Sequence, residues 1–160
     1  MTTPIKHKPH EYSTSLVWTG AAQGMASYQT YSREHEVRLG DKPPIRMSAD
    51  PAFRGDAALL NPEDLLVASL SSCHLLSYLA DCMRAGVVIV GYEDNAHGVM
   101  EYENGTYRFT EVVLHPRVTV SKEADVEQAR ALHERAHREC FIAQSVNFPV
   151  RHEVEVIVRE

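Results

Sequence analysis

The stretch from Asn61 to Gly86, NPEDLLVASLSSCHLLSYLADCMRAG, limits the fold more than any other part of the chain. Asn61 suits an N-cap, Pro62 the first helical position, and Glu63 and Asp64 the positive end of a helix dipole. Gly86 offers a left-handed stop. Between them Leu65, Leu66, Val67, Leu70, Leu75, Leu76, Leu79 and Met83 cover nearly the whole circumference of a helix. A helix that is apolar all round must be covered all round. One sheet layer in a chain of 160 residues covers one side only, so a second copy of the chain is expected on the other.

The flanks read as strands and one further helix. Ser13–Trp18 and Ser27–Tyr31 are β-rich runs separated by the small residues of Thr19–Gly24, which predicts a hairpin. His35–Leu39 alternates and predicts a third strand, stopped by Pro43-Pro44. Ser48–Leu60 reads as an ordered loop. Val87–Tyr102 and Tyr107–Val120 are long β-rich runs joined by Glu103-Asn104-Gly105-Thr106, and Asn-Gly is a strong hairpin signal. Ser121 caps a second helix over Glu123–Glu139, Phe141–Val146 continues as a short helical turn, and Pro149–Val158 closes the chain as a strand. The order β-β-β-α-β-β-α-β, with antiparallel hairpins and two helices on one face, is an α+β two-layer arrangement. No repeat or linker divides it, so one domain over residues 1–160 is expected, with residues 1–11 as a loose N-terminal tail.

Bulk properties remove several classes. Formal charge is −6 and Lys and Arg form no stripe, which argues against nucleic acid. No uninterrupted apolar run is long enough for a bilayer, and no membrane association is expected. The polar start resembles no secretory signal, so a cytoplasmic location is expected. A phosphate-cradling glycine-rich turn is absent, so no bound nucleotide cofactor is expected. Three cysteines, Cys73, Cys82 and Cys140, are too few and odd in number for a disulfide framework. They leave reactive thiols, metal ligands or inert core thiols.

Cys73 falls mid-helix, where a cysteine is most often a small core hydrophobe. Ser71, Ser72 and His74 make its surroundings more polar than a packed core needs. Cys140 falls at a helix terminus, where N–H groups of a following turn can stabilise a thiolate. Cys82, nine positions after Cys73, projects from the opposite helix face and reads as a passive thiol. His133, His137 and Cys140 share one helix face at i, i+4, i+7, a spacing that also suits zinc, with Cys73 and His74 as further ligands. Against this, the same stretch reads as a charged, solvated face with i, i+4 pairs, which is the preferred reading.

Asn61-Pro62-Glu63-Asp64-Leu65-Leu66-Val67-Ala68 followed by Cys73 resembles the Asn-Pro-Glu signature of the OsmC/Ohr family. The segment Glu139–Val146 resembles the family's second cysteine region, with Phe141 in place of the commoner proline. The order of elements matches from Ser13 to Val158. The resemblance implies a thiol peroxidase that reduces organic hydroperoxides. Cys73 would be the peroxidatic thiol and Cys140 the resolving thiol, joined in a disulfide during turnover. It also implies an arginine–glutamate pair beside the reactive cysteine. Glu63 matches the motif; Arg54 is the preferred arginine and Arg33 the second choice. Metal is expected to be absent from the site, and electrons are expected from an external dithiol such as a lipoylated protein. A non-enzymatic redox sensor using the same cysteine pair is the alternative, and inert structural thiols a third reading.

Helix geometry adds one expectation. Glu63 and Cys73 are ten residues apart, roughly 15 Å along a helix axis, beyond the reach of a glutamate side chain. A Glu63 that serves a Cys73 site therefore belongs to another copy, which predicts a homodimer with antiparallel central helices and two composite sites.

Overall fold

The computed structural model describes residues 7–159, and the chain falls into two compact units, one ending at Glu63 and one beginning at Asp64. The tail expected over residues 1–11 lies partly, at residues 1–6, outside the described residues.

The first unit is built on a three-stranded antiparallel sheet of β1 (Thr14–Trp18), β2 (His35–Leu39) and β3 (Ile45–Met47), in that order. Trp18 stands opposite His35 and Thr14 opposite Leu39. The expected pairing of β1 with Ser27–Tyr31 does not form. A 3-10 turn over Thr19–Gln23 follows β1, and residues 27–31 curl into turns. Ser27 bonds Thr30 through their hydroxyls, and the N–H groups of Thr30 and Tyr31 both donate to the Ser27 carbonyl. Short polar side chains here offer the backbone a local alternative to a ladder. Strand β3 has three residues and directly follows the proline pair, too short to register as a sequence pattern. The loop beyond it is ordered, with the Ser48 N–H donating to the Leu60 carbonyl at 2.9 Å just before the main helix.

That helix, α1, spans Pro62–Ala85, and Gly86 ends it at φ 75°. It continues into the second unit, whose strands are β4 (Ile89–Asp94), β5 (His97–Glu103), β6 (Thr106–Leu114), β7 (Pro116–Val120), β8 (Val150–His152) and β9 (Glu155–Val158). Helix α2 spans Val126–Glu139 after a 3-10 turn over Glu123–Asp125. The Asn104-Gly105 hairpin forms as expected, with φ of 52° and 86° at its two central residues. Each long β run is cut in two. Residues 95–96 separate β4 from β5, and His115 separates β6 from β7, where its N–H donates to Asp94 Oδ1 at 2.7 Å. The strands then sort into two three-stranded sheets, β4-β7-β9 and β5-β6-β8. The closing strand is likewise two strands, and both run parallel to their neighbours β6 and β7, so the sheets are mixed and not built of antiparallel hairpins alone. A helical crossover, here α2, returns the chain in the direction it left, which makes the pairing parallel.

The helices and strands enclose two apolar clusters. Leu70 meets Val112, Leu114 and Val150 in one; Tyr78, Cys82, Val118, Val120, Ala129 and Val156 pack in the other. Helix α1 buries Leu70, His74, Tyr78, Asp81 and Cys82, a single stripe at i, i+4, i+8 spacing. Its opposite stripe is bare in one chain: Leu76 is 66% and Met83 80% exposed. By length and composition alone α1 is long and apolar enough to cross a membrane, which the sequence reading did not recognise because serines, His74 and Asp81 interrupt the run. Its buried stripe packs on strands of its own unit, as a core helix does.

Candidate active site

In the second unit the two expected cysteines meet. Cys73 is half-buried near the middle of α1, and Cys140 is 1% exposed at the C-cap of α2. The Cys140 thiol lies close enough to that of Cys73 for the two to influence each other electrostatically, although 67 positions separate them (140 − 73). Both are free thiols. The chain turns sharply after α2, so that the Ala143 N–H donates to Cys140 Sγ at 3.4 Å and the Gln144 N–H to the Cys140 carbonyl at 3.1 Å. The Ala143 N–H, together with that of Ile142, favours a thiolate, as expected for a helix-terminal cysteine. They are outweighed: burial, and after it the neighbouring Cys73 thiol, push the Cys140 thiol up to about 11. Cys140 therefore rests protonated at neutral pH, unsuited to open a reaction as a nucleophile and suited to follow one.

Cys82 lies apart from this pair, 1% exposed in the core beside Tyr78. Burial raises its thiol as well, and it sits in the core rather than at the Cys73–Cys140 pair.

The remaining expected residues belong to the first unit. Glu63 and Arg33 line one cavity of about 440 Å³, together with the apolar side chains of Leu16, Trp18, Met25 and Phe53. Arg54 lines a neighbouring concavity of about 380 Å³ instead, which Arg33 also borders. Arg33 is held firmly: its two terminal nitrogens donate to the carbonyls of Tyr31 and Tyr28, each at 2.6 Å, and its guanidinium lies 3.7 Å from the Tyr31 ring centre. Glu63 Oε2 is buried and has no hydrogen-bond partner among the described residues. A buried carboxylate oxygen without a donor is energetically expensive, by about 1–3 kcal/mol.

The OsmC-like protein family matches residues 55–155. The chain belongs to that family. It is 31% identical to an OsmC-like protein of unknown function from Vibrio cholerae, with a TM-score of 0.83 over 91% of this chain and 99% of that one. An organic hydroperoxide resistance protein from Elizabethkingia anophelis shares the fold at 17% identity, with a TM-score of 0.72 over 96% of this chain and all of the other. An uncharacterized protein of Bacillus subtilis, YmaD, is 22% identical over 102 residues, 62% of this chain and 68% of its own.

Beside the cysteines this OsmC-like chain carries a feature that sequence reasoning only half saw. His74 of α1 and His133 of α2 are fully buried and bonded Nε2 to Nδ1 at 2.9 Å, their rings stacked 5.2 Å apart. His152 of β8 and His137 of α2 complete the group, with His152 5.5 Å from His74 and 5.6 Å from His137 between ring centres. Burial first, and the neighbouring imidazoles second, lower His74 to about 4 and His133 to about 3, so both stay neutral. The i, i+4 spacing of His133 and His137 signalled a shared face; nothing in the sequence tied it to His152. The rings do not converge on a common point: among the described residues no group of three or more His, Cys, Asp or Glu is placed to hold a metal ion. The cluster thus joins the cysteine-bearing helices by stacking. A second buried polar group, Asp81, serves the same junction, accepting from Arg84 at 2.9 Å and facing Arg135 of α2 at 3.3 Å.

Proposed function

We propose that this OsmC-like protein is a thiol peroxidase that reduces organic hydroperoxides to alcohols. The contact between the Cys73 and Cys140 thiols carries the reading. The Cys73 thiolate attacks the outer oxygen of the hydroperoxide, the O–O bond breaks, and the alkoxide leaves as the alcohol after taking a proton. Cys73 is then a sulfenic acid. Cys140 attacks that sulfur, water leaves with the Cys140 proton, and a Cys73–Cys140 disulfide remains. An external dithiol, a small molecule or a lipoylated protein, restores both thiols by exchange. The exposure difference fits this order: half-buried Cys73 is open to substrate, whereas buried, protonated Cys140 acts second.

A guanidinium beside Cys73 would lower its pKa and stabilise the departing alkoxide. The fixed Arg33 shares a cavity with Glu63 and Arg54 does not, so we assign this role to Arg33, reversing the order that the sequence suggested. Both residues are supplied by a second copy, in a homodimer whose α1 helices run antiparallel. Two observations support the dimer: the bare apolar stripe of Leu76, Leu79 and Met83, and the donorless Glu63 Oε2.

The test is steady-state reduction of cumene hydroperoxide with dihydrolipoamide or dithiothreitol. Wild type should consume many equivalents per chain and Cys73→Ser none. Consumption of a single equivalent per chain by wild type would mark a redox sensor instead, and unchanged turnover in Cys73→Ser would reject the mechanism.

A further inference from the structure

The concavity at Arg54 is not used by the chemistry above. It abuts the apolar cavity, and Tyr31, Ser32, Arg33 and Ser48 form a wall common to both. Its charged groups are Arg33, Arg54, Glu34 and Asp56. Three of the four are committed. Arg33 donates to two carbonyls, Glu34 pairs with Arg46 at 2.8 Å, and Asp56 Oδ1 accepts from the Ala58 N–H at 2.8 Å. Among the described residues Arg54 makes no side-chain hydrogen bond or ion pair; its guanidinium stands 6.0 Å from the Tyr28 ring centre.

The loop is shaped to present this arginine. Arg54 sits at φ 66°, ψ 28°, a left-handed conformation that side chains other than glycine rarely adopt. Its N–H donates to the Pro51 carbonyl and that of Gly55 to the Asp50 carbonyl, closing the turn. Gly55 is obligatory there, because a Cβ would stand 1.6 Å from the Ala49 carbonyl oxygen. The Asp56 N–H, donating to Ser48 Oγ at 3.1 Å, ties the far side of the turn to the common wall. A residue held in this conformation from both sides, with no side-chain hydrogen bond or ion pair among the described residues, leaves its guanidinium available to an anion.

We propose that Arg54 is a specificity-determining residue that selects hydroperoxides bearing a carboxylate. The inference rests on the peroxidase reading. The apolar body of the substrate occupies the cavity of Trp18 and Phe53, its hydroperoxide faces the Glu63 wall, and its carboxylate reaches past Ser48 to the guanidinium of Arg54. Guanidinium and carboxylate match as planar, two-bond partners, which lysine or an amide cannot reproduce.

The experiment compares cumene hydroperoxide with its para-carboxylate derivative, which differ only in the added carboxylate. The quantity read is the ratio of kcat/KM for the acid to that for the neutral compound. In Arg54→Gln this ratio should fall about tenfold, the effect of one lost charge-assisted contact. Arg54→Lys should recover part of it. An unchanged ratio overturns the proposal. So does an equal fall for both substrates, which would place Arg54 in thiol activation. Should wild type turn over neither peroxide, the peroxidase reading fails, and calorimetric binding of 4-isopropylbenzoate decides for Arg54 alone. Binding about tenfold weaker in Arg54→Gln supports the anion site; equal or undetectable binding in both proteins rejects it.

Discussion

Acidification should weaken this fold from within, through the buried imidazole pair. His74 and His133 are 1% and 0% exposed, bonded to each other, and held neutral down to about 4 and about 3. In the unfolded chain each returns to an ordinary value near 6.5. Their folded values are depressed, so below pH 6.5 the unfolded state takes up protons that the folded state refuses. Stability is intact above pH 6.5, falls as the pH drops below it, and the loss levels off only near the folded values. At pH 5 the linkage amounts to about 2 kcal/mol for each ring and about 4 kcal/mol for the two. That is a large part of the 5–15 kcal/mol typical of a folded domain. His137, also depressed by burial, adds in the same direction. Urea unfolding at pH 7.5 and pH 5.0, at one fixed protein concentration, reads the difference. In wild type the midpoint should drop by about 2 M for a slope near 2 kcal/mol per molar. The His74→Asn/His133→Asn double variant should start lower at pH 7.5 and lose much less on acidification. A double variant that loses as much as wild type between the two pH values would refute the argument.

Three further outcomes follow from the packing and the thiols. Leu70→Ala opens a void among Val112, Leu114 and Val150 and should cost about 2–5 kcal/mol in chemical unfolding. Cys140→Ser should leave Cys73 to pass beyond sulfenic acid under excess peroxide, seen by mass spectrometry as sulfinic and sulfonic acid; clean recovery of the Cys73 thiol would show that another residue resolves it. Met83→Glu on the bare stripe of α1 should shift the species seen by light scattering from dimer to monomer; an unchanged dimer would move the interface elsewhere.

Local chemistry made part of this protein legible in its sequence. The ends of α1 follow from Pro62 and Gly86, the β5–β6 hairpin from Asn104-Gly105, and α2 from its apolar spacing, because caps, turns and periodicity act between near neighbours. The Asn61-Pro62-Glu63 motif and the two cysteines named the family and the candidate thiols for the same reason. Everything that depended on distant pairing was decided by the tertiary structure. Residues 27–31 look as β-prone as 35–39, and only the polar turn at Ser27 and Thr30 gave β1 its partner. The parallel placement of β8 and β9 depends on where α2 delivers the chain. So does the meeting of Cys140 with Cys73, and the gathering of His74, His133, His137 and His152 into one core. The proposed preference for Arg33 over Arg54 rests on the cavity that Arg33 shares with Glu63, and spacing along the chain carries no information about that. A sequence states which groups are near each other along the backbone; burial, charge balance and thiol reactivity depend on which groups are near in space.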